Sequence, residues 1–547
     1  MIYLKSVYFY FLALIINLKT FIKTSYFSTN SYTKSLRTSV PKEFFFFPSS
    51  YLLSPFTNFQ NYSFNLSNID YENFWKQTSN KKNLRLHDFL WLGLVDRKTE
   101  ASLVRKIISK WISNNNIYKK QIWGNSSISR RVISWILNAD IILGSTNITF
   151  KNDFIESIII QINHLKKNFN LESNNVTKIE ILTTIYLSGL VFHDYKENIT
   201  FAEKELRKVI NIFFDDDGFP RSQNPDDLLQ ISKYFIILKD CSEAAENYEI
   251  DYINSLLKNN LMCLKKITTP LNTLPLFNGA TEVNLNRFYD FLNEKNYKPK
   301  KKNGNVGGLN IINFKKDIVY INSNSPPLKN FSNCYQSGPL SFEYFNDEDK
   351  IITNCGFGKN ISNKAIFLSK LTSAQSTICI DNTSVVRFER NKVINKAFGS
   401  SYEKGFKVFN EKNENNEEEI KFYASHDAYL KKFGYICSRE IKILKKDYKI
   451  TGRDFFEKKR ETKKVGFSIR FHLTPGLNAV KTISGNSVLI QIRKNKSLIF
   501  TTDKKNITIE KSVFFAGNKV LNNFCIVISD LLENNDKIIN WEIIKKI

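Results

Sequence analysis

The sequence predicts two successive folds in one chain, a helical domain followed by an antiparallel β-sandwich. Three observations predict it. Apolar residues recur with helical spacing between about residues 101 and 264, the composition changes at the basic, glycine-rich run YKPKKKNGNVGG (297–308), and beyond that run short segments alternate apolar and polar residues between turn signals. The chain has 547 residues, and single hydrophobic cores stop growing at roughly 250–300. The expected divisions are an N-terminal apolar segment and irregular arm at 1–67, a helical domain at 68–295, a linker at 296–308 and a sheet domain at 309–547.

In chain order, Lys5 followed by the apolar residues 7–18 has the charged start and greasy middle of a signal peptide, but no small-x-small cleavage site follows. At about 12 residues this run falls short of the roughly 20 needed to span a bilayer, so no integral span is expected; an amphipathic helix is the other reading. The expected location is the cell envelope or periplasm, with the cytoplasm as the alternative. Residues 31–67 are rich in Ser, Thr, Asn, Pro and Phe without period and read as an arm packed by its aromatics, Phe44 to Phe47 among them.

Helices follow. Residues 101–113 place Leu103, Val104, Ile107, Ile108 and Trp111 on one stripe, and 129–142 do the same with Val132, Ile133, Trp135, Ile136 and Ala139. The pattern continues at 154–169, 178–192, 202–213, 225–238 and 244–264. The helix from Pro225 has a clear start: Asn224 as cap, Pro225 in the first turn, Asp226 and Asp227 at the positive end of the dipole. Strands are expected at 309–314, 318–322, 340–344, 350–354, 376–380, 420–424, 436–444, 448–454, 467–473, 479–483, 487–492 and 498–502, with 411–419 as a charged loop.

Apolar residues at 42% and charged residues at 24% exclude a disordered chain. Lys and Arg (79) outnumber Asp and Glu (53), and the net charge of +26 attracts a polyanion; a compositional bias toward Lys, Asn, Ile and Phe accounts for it equally well. Helix-turn-helix, zinc-finger and aromatic RNA-binding signatures are missing, so nucleic acid is not the expected partner. The seven cysteines form no CxxC pair, which signals neither a zinc ribbon nor a disulfide framework and leaves free buried thiols.

Between Cys334 and Asp381, Leu340, Phe342 and Tyr344 share one strand face, and Gln336, Asn354 and Gln375 stand at strand ends, where sheet proteins assemble sites. Here the strings SGPLSFE, TNCGFG, SAQST, ASHDAY and IRFHLTP resemble the heparinase II/III family of polysaccharide lyases, in particular its α-proteobacterial heparinase-like type. LHDFLWL (86–92), SRRVISWI (129–136), DDDGFPRSQNP (215–225) and LFNGA (276–280) fit the same pattern, so the resemblance runs from about residue 84 to the C-terminus.

The resemblance implies an (α/α) toroid joined to a β-sandwich, with a groove for an acidic polysaccharide cleaved by β-elimination at a uronic acid. Such chemistry offsets the carboxylate's charge, removes the weakly acidic neighbouring proton and protonates the leaving oxygen. It also assigns roles. Asn175 matches a carboxylate-gripping Asn, although Asn174 and Asn175 also suit a helix cap. Arg221 follows DDDGFP as a family Arg does, while the family's Tyr a few residues on is missing; Tyr234 is the nearest, and reads as a face residue of its helix.

His426 and Tyr429, with Asp427 between them, match a catalytic motif or form a structural knot. Arg439, Arg470 and His472 make either a basic wall toward the polysaccharide, together with Gln336 and Gln375, or buried partners of Glu440, Asp454 or Glu343. Of the remaining histidines, His87 reads as a helix-start residue, His164 as solvent-facing and His193 as a helix C-cap.

Zinc-bearing members hold the ion with His, Asp and His where this chain has Gln336, Asn354 and Gln375. Neutral amides are poor zinc ligands, so no metal cofactor is expected. Cys334, two residues before Gln336, is a substitute ligand, a stand-in for a catalytic His, or a buried thiol. The expected function is lyase action on an acidic glycan. A catalytically degenerate carbohydrate-binding or cell-envelope protein of the same fold is the alternative.

Overall fold

The computed structural model describes residues 2–57, 75, 83–98, 100–144, 146–246, 248, 250–447, 449–504 and 506–545. The part of the expected arm at 58–67, and Tyr448 at the head of an expected strand, lie outside these residues. The chain forms two compact units: 1–218, 229–261 and 286–299 in the first, and 219–228, 262–285 and 300–547 in the second.

The first unit is helical. Its elements are α1 (Ile2–Phe27), α2 (Asn30–Leu36), α3 (Ser54–Thr57), α4 (Ala101–Asn115), α5 (Asn125–Leu137), α6 (Ala139–Leu143), α7 (Ile148–Asn168), α8 (Asn175–Val191) and α9 (Glu197–Phe213), followed by α10 (Pro225–Glu246), α11 (Asp251–Ile267) and α12 (Asn286–Glu294), of which α10 and α11 have one end in the second unit. The predicted stripe of α4 is buried at Val104, Ile107, Ile108 and Trp111, and that of α5 at Val132, Ile133, Trp135 and Ile136. Helix α8 is apolar all round, and every residue from Ile179 to Val191 is buried, as expected of a helix enclosed by others. In the arm Phe44 is buried and edge-on to Phe192 at 4.7 Å, while α2 and α3 make helical part of what was expected to be irregular.

Helix α1 corrects the length read from sequence. The helix continues past Leu18 through Lys19 and Lys23, and Val7–Phe27, 21 residues, is long and apolar enough to cross a membrane, a property that signal sequences share. His164 is also corrected. It is buried, not solvent-facing, because α2 covers the end of α7: Tyr32 Oη meets its Nδ1 at 2.8 Å and the rings of Phe27, Tyr118 and Trp123 surround it.

The second unit is a sandwich of two eight-stranded antiparallel sheets. Its strands are β1 (Leu309–Phe314), β2 (Asp317–Asn322), β3 (Phe342–Asn346), β4 (Asp349–Thr353), β5 (Ile378–Ile380), β6 (Val408–Asn415), β7 (Glu419–His426), β8 (Tyr435–Leu444), β9 (Lys449–Lys458), β10 (Val465–Leu473), β11 (Asn478–Lys481), β12 (Ser487–Arg493), β13 (Lys496–Thr502), β14 (Ile507–Ala516), β15 (Lys519–Leu532) and β16 (Lys537–Lys545). One sheet runs β1-β2-β3-β4-β10-β15-β14 with β5 also paired to β10; the other runs β11-β12-β13-β16-β9-β8-β7-β6. Short helices α13 (Asn363–Ser369), α14 (Lys392–Phe398) and α15 (Leu430–Phe433) sit in its connections.

The core between the sheets takes Val319, Ile321, Phe342 and Ile469 from one and Ile441, Ile443, Phe500 and Trp541 from the other. The expected charged loop at 411–419 is instead largely strand: β6 pairs with β7 as a solvent-facing hairpin that has lost apolar alternation. Strands β14 to β16 escaped the sequence reading for a related reason, since Val513, Val520, Leu521 and Ile538 face solvent and blur the period.

Candidate active site

In the sheet unit the amides at the strand ends are locked into the backbone. Gln336 Oε1 accepts from Gly279 N at 3.0 Å, and its Nε2 donates to Gly356 O (3.0 Å) and Ser369 O (2.9 Å). Gln375 Nε2 donates to the same Ser369 carbonyl at 2.8 Å, while Asn354 Oδ1 accepts from Ser376 N at 3.0 Å. All three side chains are buried. Asn354 Nδ2, a donor, has no partner among the described residues.

This donor set does not fit a zinc ion. Two of its three oxygens are occupied by backbone N–H groups, the set carries no charge, and among the described residues no cluster of three His, Cys, Asp or Glu stands together.

The loop 219–228 and the turn 276–281 bring further groups to this corner. Gly279 has φ of +105°, and a Cβ there would fall 2.5 Å from Cys334 Cβ and 3.0 Å from Asn224 Nδ2, so only glycine lets the three strands of chain close up. Asn224 caps α10 as predicted, its Oδ1 accepting from Asp226 N at 2.9 Å, and its Nδ2 donates to Asp227 Oδ1 at 3.1 Å. Ser222 Oγ donates to the other Asp227 oxygen at 2.6 Å. Burial pushes the Asp227 carboxyl up to about 6, against the pull of these donors and of Lys359. Cys334 is half-buried rather than enclosed, and burial raises its thiol to about 11. Arg221 is exposed.

The strand histidines and arginines are placed otherwise. His426 is fully buried, neither ring nitrogen has a partner among the described residues, and burial lowers it to about 3. Asp427 does not orient it; its Oδ1 accepts from Lys407 N at 2.7 Å, because neighbours on a strand point to opposite faces. Tyr429 Oη is buried and donates to Thr383 O at 2.9 Å. Arg439 is also fully buried, paired with Asp454 at 2.6 and 3.1 Å and donating to Leu340 O and Ser376 O. His472 bridges Ser512 Oγ and Ser373 O, both at 3.0 Å, and burial lowers it to about 4. Arg470 is half-buried and pairs with Glu510 at 2.9 Å. His426, Tyr429, Arg439 and His472 are therefore enclosed by protein, and a basic wall of Arg439, Arg470 and His472 does not face solvent as a unit.

The helical unit holds a cluster that the sequence motifs contained but whose chemistry they did not expose. Arg130, in SRRVISWI, keeps 36% of its side chain exposed and meets Glu180 Oε1 at 3.0 Å and Asp88 Oδ2 at 3.4 Å. Both carboxylates are nearly buried. Ser126 and Tyr234 donate to Glu180, the latter at 2.8 Å, and Ser127 donates to Asp88. Tyr234 is thus a fixed member of this network rather than an ordinary helix-face residue, and burial together with Glu180 lifts its phenol well above the usual value. Neighbouring Arg131 turns inward onto the Trp111 ring (4.3 Å) and bonds Gln161, His87 O and Ile122 O. His87, far from being a simple helix-start residue, is buried and accepts from Trp111 Nε1 at 2.9 Å. Asn175 is the first residue of α8 and half-buried, while Asn174 is its cap, accepting from Thr177 N at 3.1 Å.

Residues 297–542 match the family model described as heparinase II/III-like, C-terminal. No curated protein matches the sequence. Among solved structures, a mutant of the heparan sulfate lyase HepC from Pedobacter heparinus is similar over 85% of this chain and 76% of its own, at 14% identity and a TM-score of 0.62. A heparinase III is similar over 84% and 76%, at 14% identity and TM-score 0.65, and a further heparinase III over 92% and 84%, at 11% identity and TM-score 0.62. At such identities the likeness is one of fold, a helical toroid followed by an antiparallel β-sandwich. Residues 297–542 are thus a heparinase II/III-like C-terminal domain, and the chain shares the fold of the heparinase structures.

Proposed function

We propose that the protein is a polysaccharide lyase that cleaves an acidic, uronic-acid-containing glycan by β-elimination. The heparinase-type sheet domain at 297–542 carries this reading; one of the similar structures is a heparan sulfate lyase. Arg130 supplies a cation that two carboxylates hold from behind while a third of it stays open to solvent, which suits it to gripping a uronate carboxylate. Asn175, in the same helical unit, is the other group suited to that grip. In the second unit, and taken by itself, Asp227 is poised near neutrality by burial and is a candidate proton acceptor, because a base works best when its pKa lies near the operating pH. No step runs through a metal.

A second reading has its own support. The histidines and tyrosine first assigned to proton transfer and binding, His426, Tyr429 and His472, are all buried, which favours a glycan-binding protein of the cell envelope that retains the lyase fold without turnover. A panel of uronic-acid polysaccharides separates the two. The lyase produces an unsaturated product absorbing in the ultraviolet, Asp227→Asn removes that product while glycan binding persists, and a chelator changes neither. Binding without product moves the conclusion to the second reading. Neither binding nor product sinks both.

A further inference from the structure

The β1–β2 hairpin has a second face. Ile312, Val319 and Ile321 point into the sandwich core, so Ile311, Asn313, Ile318 and Tyr320, alternate in sequence and opposite in register, share the face away from it. The end of α11 and the turn after it lie over this face, pinned by Tyr320 Oη donating to Thr268 O at 3.0 Å. Between them is a recess of about 290 Å³, lined also by Lys265, Lys266, Asn272 and Lys301 and by no Asp or Glu.

Two of the lysines of this recess, Lys266 and Lys301, converge on it. Lys301 comes from the basic run 298–302, and it is set close enough to Lys266 to lower the latter's affinity for its proton, on top of the effect of burial. Among the described residues neither of these two lysines has a carboxylate within ion-pair distance. Like charges converging on a partly desolvated recess repel one another, and an anion placed between them removes that cost. The Thr268, Thr269 and Asn272 side chains on the same wall add small polar groups.

We propose that this recess is an oxyanion-binding subsite, taking a sulfate or carboxylate group either as a free ion or as a substituent of an acidic glycan. The second source rests on the glycan reading above; the first does not.

The test is acylation of lysines in the full-length protein, quantified residue by residue with and without inorganic sulfate, and with a size-defined sulfated uronic-acid oligosaccharide. Lys266 and Lys301 should be modified about fivefold more slowly at a sulfate concentration about four times its Kd, with exposed Lys431 unaffected and ionic strength held constant with chloride. Protection by both probes identifies a glycan subsite, and protection by sulfate alone a free-ion site. Protection by neither overturns the proposal, as does full protection by oligosaccharide in Lys266→Gln/Lys301→Gln at the remaining Lys265. The readout involves no turnover, so an inactive lyase leaves the subsite standing, and loss of protection in an active enzyme removes only the subsite.

Discussion

In the helical unit Arg130 stands with 36% of its side chain in solvent, braced from behind by Asp88 and Glu180; in the sheet unit Arg439 lies wholly buried against Asp454. Both are arginines fixed by carboxylates. They differ in exposure. Arg439 uses its remaining donors on the carbonyls of Leu340 and Ser376, and Trp541 Nε1 donates to Asp454 at 3.0 Å, so the pair is closed on all sides and ties strands β8 and β9 to the 340 and 376 loops. Arg130 keeps an open side. A buried arginine closed on all sides serves the fold alone, whereas a partly exposed one is the kind of group the proposed grip on a carboxylate requires.

The comparison can be broken most severely at the closed pair. Arg439→Met should cost about 3–5 kcal/mol, because it leaves Asp454 buried and unpaired, and Arg439→Met/Asp454→Leu should recover much of that loss in urea denaturation. Equal loss in the double variant would show that the carbonyl bonds, not the charge, hold the loops. At the open site Arg130→Lys, which keeps a cation beside Asp88 and Glu180, should cost less in urea denaturation than the about 3–5 kcal/mol of an unpaired buried charge while weakening glycan binding about tenfold in calorimetric titration, the cost of replacing a planar fork by a point charge; unchanged affinity would remove Arg130 from the site.

The smallest effect lies at His426. With a pKa near 3 in the folded state against about 6.5 unfolded, its contribution to stability is complete above pH 6.5 and is lost as pH falls toward 3, since only the unfolded chain takes up the proton. His426→Leu should therefore match wild type or exceed it slightly at pH 7 and gain on it by pH 5, where chemical denaturation curves would separate. A variant that loses ground at pH 5 would give His426 a partner in solution.

The fold was legible because it is written in local periods: β1 falls at 309–314 as the alternation requires, and the Asn224 cap and Pro225 start of α10 are observed as read. The candidate site was legible only in its strings. Gln336 depends on Gly279, 57 residues away, and no spacing reveals that its oxygen is already taken. Arg130 and Arg131 are adjacent and identical in type; which is a core residue and which reaches solvent depends on Trp111, Glu180 and Asp88, brought in from three other segments. His426 matched a motif, and its burial is set by strand register rather than by its neighbours in sequence. Asp227 was read for its place in a helix dipole, whereas its perturbed proton affinity comes from enclosure and could not be seen.

The two interruptions of the helical unit, at 219–228 and 262–285, carry a consequence for synthesis. These segments leave the ribosome well before the strands they belong with, and Gly279 waits for Gln336, and Leu276 N for Glu343, until the sheet has been made. A single cut near residue 300 would not yield two modules. The released sheet portion would keep the Lys350 pair of Glu343 and the Gly356 and Ser369 bonds of Gln336 but lose one backbone donor to each, Leu276 N and Gly279 N, so it is expected to be less stable than the same strands in the intact chain.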